Sequence, residues 1–174
     1  MKPIFLIGYM ASGKTTFGDA LAKRKNLRFI DLDDYIIEKQ GYSINEIFAS
    51  RGEEGFRKIE KEALLEVAQM EDTVIACGGG TPCFYDNMDL MNDSGLTVWL
   101  KASESVLLNR LIEENEKRPL VAGKTPSEIL EIIRKHLSIR LPYYKKAEIK
   151  WNGDKLENEE QISKTVTDFI SHYL

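Results

Sequence analysis

The chain has 174 residues, 43% of them hydrophobic and 30% charged, and its formal net charge is −4; this length fits a single domain over residues 1–174. The acidic balance excludes a broad positive field, so we expect neither nucleic acid nor an anionic membrane as a partner. No apolar stretch approaches the roughly 20 residues of a membrane span, and the few residues before Gly8 are shorter than a secretory leader, so we expect a cytoplasmic protein.

The first predicted strand, residues 3–7, leads directly into a glycine-rich loop. Residues 8–15 fit the spacing G-x-x-x-x-G-K-[ST], and a helical pattern follows to about Lys25. In such a loop the backbone N–H groups and the helix N-terminus bind phosphate oxygens, the lysine reaches the β- and γ-phosphates, and the next hydroxyl binds Mg²⁺. We therefore predict an ATP site at Ala11, Ser12, Gly13, Lys14, Thr15 and Thr16, with Thr15 as a ligand of Mg²⁺.

A second short strand, residues 27–30, precedes the acidic stretch 31–34. In an extended backbone Asp31 and Asp33 share a face, where one carboxylate serves Mg²⁺ and the other orients an acceptor hydroxyl. The alternative interpretation is a helix N-cap, a role that we expect Asp34 to fill. The neighbouring phosphate loop favours the catalytic interpretation.

Helical spacing separated by glycines recurs in residues 35–37, 44–49 and 55–70. The apolar run 73–77 then predicts a buried central strand that ends in Gly78-Gly79-Gly80. Three successive glycines destabilise a fold, because each loses more conformational entropy than alanine. Close approach of a ligand to the backbone explains them better than the alternative, a tight turn before Pro82.

Strands and helices continue to alternate in the rest of the chain. The predicted strands are 96–100 and 148–151, and the predicted helices are 103–114, 127–141 and 159–173. The alternation predicts an α/β fold with three layers, α/β/α, around a parallel sheet of about five strands that binds ligands at the strands' carboxyl ends. Gly8, Asp31 and Gly78 fall at such ends, so we expect a single site there. The polar residues 113–125 suit a mobile lid.

Three arginines are candidates for binding anions: Arg57, Arg118 and Arg140. A guanidinium group forms two parallel hydrogen bonds with a carboxylate or a phosphate. For any one of them alone, a solvated surface position is the alternative.

The cysteines and histidines show no pattern that indicates a metal-binding or catalytic role. Cys77 and Cys83 match no zinc-binding spacing, and we expect both to be reduced. His136 and His172 are isolated in helical stretches, where we expect surface or packing roles.

Taken together, these motifs resemble the shikimate kinase family, small P-loop kinases of aromatic amino-acid biosynthesis, over nearly the whole chain. The matching segments are residues 8–16, 29–33, 52–60, 78–80, 118–120 and 140–144. The resemblance implies a P-loop NTPase fold of the nucleoside monophosphate kinase type with a mobile lid. It also implies a monomer that uses Mg²⁺ and transfers the γ-phosphoryl group of ATP to the 3-hydroxyl of shikimate, giving 3-phosphoshikimate and ADP.

For the acceptor side, the resemblance implies that Asp33 contacts the shikimate hydroxyls and orients the one that is phosphorylated. Arg57, Arg140 and the backbone N–H of Gly79 hold the substrate, the arginines chiefly at its carboxylate. One departure is Leu32, which stands where the family usually has serine or threonine, so a hydrogen bond that supports the metal site is expected to be missing.

For the nucleotide side, the resemblance implies that Arg118 closes over ATP from the lid. With Lys14 it stabilises charge on the transferring phosphoryl group. Thr15 binds Mg²⁺ directly, Asp31 acts through the water shell of the ion, and Arg110 stacks on adenine.

Two alternatives to this function remain from the motifs alone. One is another P-loop kinase of a small molecule, such as a gluconate or nucleoside monophosphate kinase, although paired arginines favour an acidic acceptor. The other is a nucleotide-binding switch or an ATPase that has no acceptor. The absence of an Asn-Lys-x-Asp sequence and the short chain argue against a switch.

Overall fold

The computed structural model describes residues 1–174, with the side chain of Glu116 excepted. A five-stranded sheet forms the centre of this described chain, with strands β1 (Ile4–Ile7), β2 (Arg28–Asp31), β3 (Thr73–Ala76), β4 (Leu96–Lys101) and β5 (Ile149–Asn152). The strand order is β2-β3-β1-β4-β5, and every pairing is parallel. The predicted parallel sheet is confirmed, and the carboxyl ends of its strands lie at one edge.

Helices cover both faces of the sheet. They are α1 (Lys14–Lys25), α2 (Leu32–Gln40), α3 (Ile44–Val67), α4 (Asn87–Ser94), α5 (Glu104–Glu113), α6 (Pro126–Tyr144) and α7 (Glu159–Tyr173). Side chains of the central strand β1 alternate between two apolar clusters. Ile4 and Leu6 pack with residues of α1 and α7, whereas Phe5 and Ile7 pack with residues of α2, α3, α5 and α6. This alternation builds the predicted three layers.

The start of α2 differs from the prediction. The N-cap is Asp31 and not Asp34, because the Asp31 carboxylate accepts the backbone N–H groups of Asp33 at 3.0 Å and of Asp34 at 3.4 Å. Asp33 therefore lies in the first turn of a helix, and the predicted shared face of an extended strand was wrong. The two carboxylates are still close enough to interact electrostatically, because the strand end and the helix start are consecutive in the chain.

Helix α6 also runs further than predicted. It passes through Pro142 and ends at Tyr144, instead of ending before the proline. A proline inside a helix forfeits one backbone hydrogen bond, and here Tyr144 is fully buried one turn beyond Arg140, with its ring 5.9 Å from that of Trp99. Burial of this large side chain stabilises the fold by more than the loss of one backbone hydrogen bond costs.

The break predicted at Gly52 is confirmed, because Gly52 has the non-helical angles φ 67° and ψ −177° and divides α3 into two helical segments at a kink. The short helix α4 was not predicted. None of the helices in the described chain is long and apolar enough to cross a membrane.

Candidate active site

The loop between β1 and α1 has a backbone conformation that depends on its glycines. Gly8 has φ 145° and Gly13 has φ 98°, values that side chains with a Cβ rarely adopt. A Cβ on Gly8 would also lie 2.6 Å from the carbonyl oxygen of Leu100. Inside the loop, Lys14 Nζ donates hydrogen bonds of 2.9 Å to the carbonyl oxygens of Gly8 and Tyr9. The loop thus curls around the lysine head group.

Lys14 is partly buried where it lines the site, and this changes its proton affinity. Burial lowers the pKa of Lys14 to about 8, and the nearby charge of Arg118 acts in the same direction. Asp31 and Asp33 oppose this shift. The ammonium group therefore sits in a poorly solvated place, where its interaction with a bound anion is strong.

A cleft of about 360 Å³ opens beside this loop. The predicted site residues that line it are Ala11, Gly13, Lys14, Thr15, Thr16, Asp31, Asp33, Gly79 and Arg118. Ser12 is instead buried beneath the loop, and its backbone N–H donates to the Tyr9 carbonyl oxygen at 3.1 Å. Arg57 and Arg140 do not line the cleft. Their guanidinium groups lie next to Gly80 and Gly79, and Gly79 is a lining residue.

Thr15 and Asp31 place two oxygen donors side by side in the cleft. Thr15 Oγ1 donates to Asp31 Oδ2 at 3.2 Å. Hydroxyl and carboxylate oxygens suit Mg²⁺, which in nucleotide sites takes its remaining ligands from phosphates and water. The described side chains contain no group of three or more His, Cys, Asp or Glu residues that could hold a metal ion. The donor set fits Mg²⁺.

Asp33 is the most strongly perturbed carboxyl group of the cleft. Its pKa is raised to about 6, chiefly by burial and then by the negative charges of Asp31 and Glu60, against the opposing effects of Lys14 and Arg57. A carboxylate that titrates near neutral pH in a cleft is suited to accepting a proton.

The glycine stretch lies where three functional side chains approach the backbone. A Cβ on Gly79 would lie 3.0 Å from Arg140 Nη1, and one on Gly80 would lie 2.5 Å from Arg57 Nη2. A Cβ on Gly78 would lie 3.5 Å from Asp33 Oδ1. The stretch also forms the turn that was weighed as the alternative, because Thr81–Cys83 is a short 3₁₀ helix. The turn is therefore present, and the close approach of a ligand to this backbone stays a prediction.

Glu60 holds Arg57 in place, and our sequence interpretation gave it no role. It is only 1% exposed and accepts hydrogen bonds of 2.8 Å from Arg57 Nη1 and from Thr81 Oγ1. The Arg57 guanidinium also lies 4.0 Å from the ring centroid of Phe84. The signal that could have identified Glu60 was its i,i+3 spacing from Arg57 on a helix.

Two other arginines flank the phosphate loop. Arg118 Nε donates to Glu114 at 2.6 Å, and both side chains are partly exposed. Arg110 donates to the carbonyl oxygens of Ala11 at 3.0 Å and of Gly153 at 2.8 Å, so it ties the loop to the end of β5. Its contact with adenine stays a prediction.

A parallel sheet with a glycine-rich loop at the end of β1, and a carboxyl group that lines the cleft just after β2, is typical of P-loop kinases that act on small molecules. Comparisons with known proteins narrow this class. The shikimate kinase family model matches residues 10–171. A shikimate kinase from Phocaeicola vulgatus is 47% identical over 166 residues, covering 95% of each chain, and one from Flavobacterium johnsoniae is 42% identical, covering 98% of each.

Solved structures agree with these relatives. A crystal structure of a shikimate kinase from Bacteroides thetaiotaomicron superposes with a TM-score of 0.95 at 44% identity, covering 98% of this chain and 97% of that one. A shikimate kinase from Acinetobacter baumannii in complex with shikimate gives a TM-score of 0.81 at 30% identity, covering 100% and 96%. This chain belongs to the shikimate kinase family. The predicted class of enzyme, an ATP-dependent kinase, is confirmed.

Proposed function

We propose that this protein transfers the γ-phosphoryl group of ATP to the 3-hydroxyl of shikimate, giving 3-phosphoshikimate and ADP, as a cytoplasmic monomer with one domain over residues 1–174. The observation that carries the proposal is the position of Asp33, a buried carboxyl group in the same cleft as Lys14. One group accepts a proton and the other binds phosphate, and phosphoryl transfer to an alcohol needs both functions.

The nucleotide is bound by the phosphate loop. Backbone N–H groups within residues 11–16 and the N-terminus of α1 face its phosphates, and the Lys14 ammonium exchanges the Gly8 and Tyr9 carbonyl oxygens for phosphate oxygens. Thr15 would hold Mg²⁺ directly, with Asp31 acting through its water ligands. When bound, the ion neutralises charge on the β- and γ-phosphates.

The acceptor is bound between α2, α3 and α6. Arg57 and Arg140 lie next to adjacent glycines, Gly80 and Gly79, which suits two guanidinium groups that share one carboxylate. The Gly79 N–H supports the substrate, and Asp33 accepts a hydrogen bond from the attacking hydroxyl and then its proton. Arg57 arrives already oriented, because Glu60 and Phe84 fix it.

The lid comprises residues 113–125 and carries Arg118. The ion pair between Arg118 and Glu114 is partly exposed, and such pairs contribute little stability. Arg118 can therefore leave Glu114 for the γ-phosphate at small cost when ATP is bound.

An acceptor screen tests the proposed reaction. ADP release from ATP and Mg²⁺ is measured with shikimate, with gluconate, with nucleoside monophosphates, and without an acceptor. We expect shikimate alone to raise the rate, by at least about tenfold over the reaction without acceptor. Equal rates with and without shikimate would instead identify an ATPase or a switch, and a faster rate with gluconate or a nucleotide would identify another kinase.

Replacing Arg57 is expected to weaken shikimate binding more than turnover. Arg57→Lys keeps a positive charge beside the buried Glu60 but loses the planar fork, so we expect KM for shikimate to rise about tenfold while kcat changes less than about threefold. Steady-state kinetics at saturating ATP measure both. Arg51→Lys, at an exposed position of the same helix, is the matched control. An unchanged KM in Arg57→Lys would remove Arg57 from the acceptor site.

The rate is also expected to fall on both sides of neutral pH. Asp33 accepts a proton only when ionised, and its pKa is raised to about 6, so kcat/KM should fall as the pH drops through about 6. Lys14 binds phosphate only when charged, and its pKa is lowered to about 8, so kcat/KM for ATP should fall above about pH 8. A pH profile of kcat/KM measures both limbs. An acid limb that persists unchanged in the residual activity of Asp33→Asn would refute its assignment to Asp33.

A further inference from the structure

Tyr9, the second residue of the phosphate loop, connects this loop to helix α6. Its side chain is only 2% exposed, and its hydroxyl lies 2.8 Å from Nδ1 of His136. The two residues are 127 positions apart in the chain. This hydrogen bond joins the phosphate loop to α6, the helix that carries Arg140.

One face of α6 contributes three successive contacts to the site. His136, Arg140 and Tyr144 are spaced four residues apart, so they lie on the same side of the helix. Arg140 places its guanidinium carbon 5.7 Å from the centroid of the Tyr9 ring. Tyr144 donates a hydrogen bond of 2.6 Å to the carbonyl oxygen of Gly79. Arg140 thus lies near both the Tyr9 ring and Gly79, whose carbonyl group is itself hydrogen-bonded.

The Tyr9–His136 hydrogen bond joins a phenol to a neutral imidazole. Burial raises the pKa of Tyr9 to about 12, so the phenol keeps its proton. Burial, Arg140 and Lys135 all lower the pKa of His136, so its imidazole is mainly neutral at pH 7. The hydroxyl and Nδ1 can share this hydrogen bond in either tautomer of His136, and the bond holds the Tyr9 ring near Arg140.

We propose that Tyr9, held by His136, is a positioning residue that orients Arg140 toward the acceptor and so links the phosphate loop to acceptor affinity. The inference rests on the proposed function, because it takes Arg140 as a ligand of the acceptor carboxylate. Tyr9 itself touches neither reacting group. Its expected signature is unusual for a residue of a phosphate loop, since its loss should affect the affinity for shikimate and not the affinity for ATP.

The test compares steady-state constants of Tyr9→Phe with those of the wild-type enzyme. Tyr9→Phe keeps the ring and removes the hydrogen bond, and we expect KM for shikimate to rise about three- to tenfold. KM for ATP and kcat should each stay within about twofold of wild type. Tyr35→Phe is the matched control, because it removes a 2.6 Å hydrogen bond between a tyrosine and Glu66 at an exposed position of α2.

The His136 variants test the other partner. His136→Leu removes the hydrogen-bond partner of Tyr9 and should reproduce the effect of Tyr9→Phe. His136→Asn places an amide oxygen near the position of Nδ1, and we expect it to recover most of the affinity for shikimate. A general packing defect would not be repaired by the smaller polar residue.

A double-mutant cycle with Arg140→Ala distinguishes a failure of this inference from a failure of the proposed acceptor site. If Tyr9 acts through Arg140, Tyr9→Phe should have almost no further effect on KM for shikimate in the Arg140→Ala enzyme. A raised KM in Arg140→Ala together with an unchanged KM in Tyr9→Phe would overturn the inference and leave the proposed function standing. Additive effects, or a raised KM for ATP alone, would also overturn it. An unchanged KM for shikimate in Arg140→Ala would remove Arg140 from the acceptor site and overturn the inference with it.

Discussion

Lys14→Met is expected to lower kcat by about 10²- to 10³-fold, the usual effect of removing one preorganised donor from a developing negative charge. The substitution keeps most of the volume of the side chain and removes the ammonium group. The effect should be large because the partly buried Lys14 lines the cleft, where its charge is screened less than at an exposed position. Single-turnover measurements with saturating Mg²⁺ and ATP isolate this step from nucleotide affinity.

Lys23→Met provides the control for this variant. Lys23 lies on the same helix α1, and its side chain is 76% exposed, so its charge is screened by solvent and should not affect kcat. A melting curve checks that Lys14→Met still folds after losing its two bonds to the loop carbonyl oxygens. A folded Lys14→Met enzyme with kcat within about threefold of wild type would contradict the role of Lys14.

Asp33→Asn is expected to lower kcat by about 10²- to 10³-fold, as expected when a general base is lost. Asparagine has nearly the same shape but cannot take up the proton of the attacking hydroxyl. KM for shikimate should change less than kcat, because the amide still forms a hydrogen bond with the substrate. Steady-state kinetics with shikimate as the varied substrate separate the two effects.

Asp34→Asn is the matched control, because it changes the next residue in the first turn of α2. Its carboxyl group is largely exposed and does not line the cleft. Equal losses in the two variants would assign the effect to the charge at the helix start, and not to a base at Asp33.

The position of the phosphate loop and its need for glycines could be predicted from the sequence, because the motif residues are close in the chain. Gly8 and Gly13 have positive φ angles, and a Cβ on either would also collide with a residue distant in the chain, Leu100 or Leu156. The edge at which Gly8, Asp31 and Gly78 meet could be predicted as well. Parallel strands have only one arrangement of carboxyl ends, so three strand ends suffice to locate a site.

The remaining features depend on contacts between distant residues. Tyr9 and His136 each have ordinary local surroundings, and only folding brings them together. The capping role of Asp31 depends on where α2 begins, and sequence patterns locate helix ends only to within a few residues. Helix α6 passes through Pro142 because Tyr144 is buried in the core, and this tertiary contact overrides a local preference.

A crystal structure of this protein with shikimate, Mg²⁺ and a non-hydrolysable ATP analogue tests the account most directly. We predict that the shikimate 3-hydroxyl lies within hydrogen-bond distance of an Asp33 carboxylate oxygen and in line with the γ-phosphate. The carboxylate of shikimate should contact Arg57 and Arg140, and Lys14 Nζ should contact the phosphates. Shikimate bound elsewhere, or a hydroxyl held by another residue with Asp33 turned away, would contradict it.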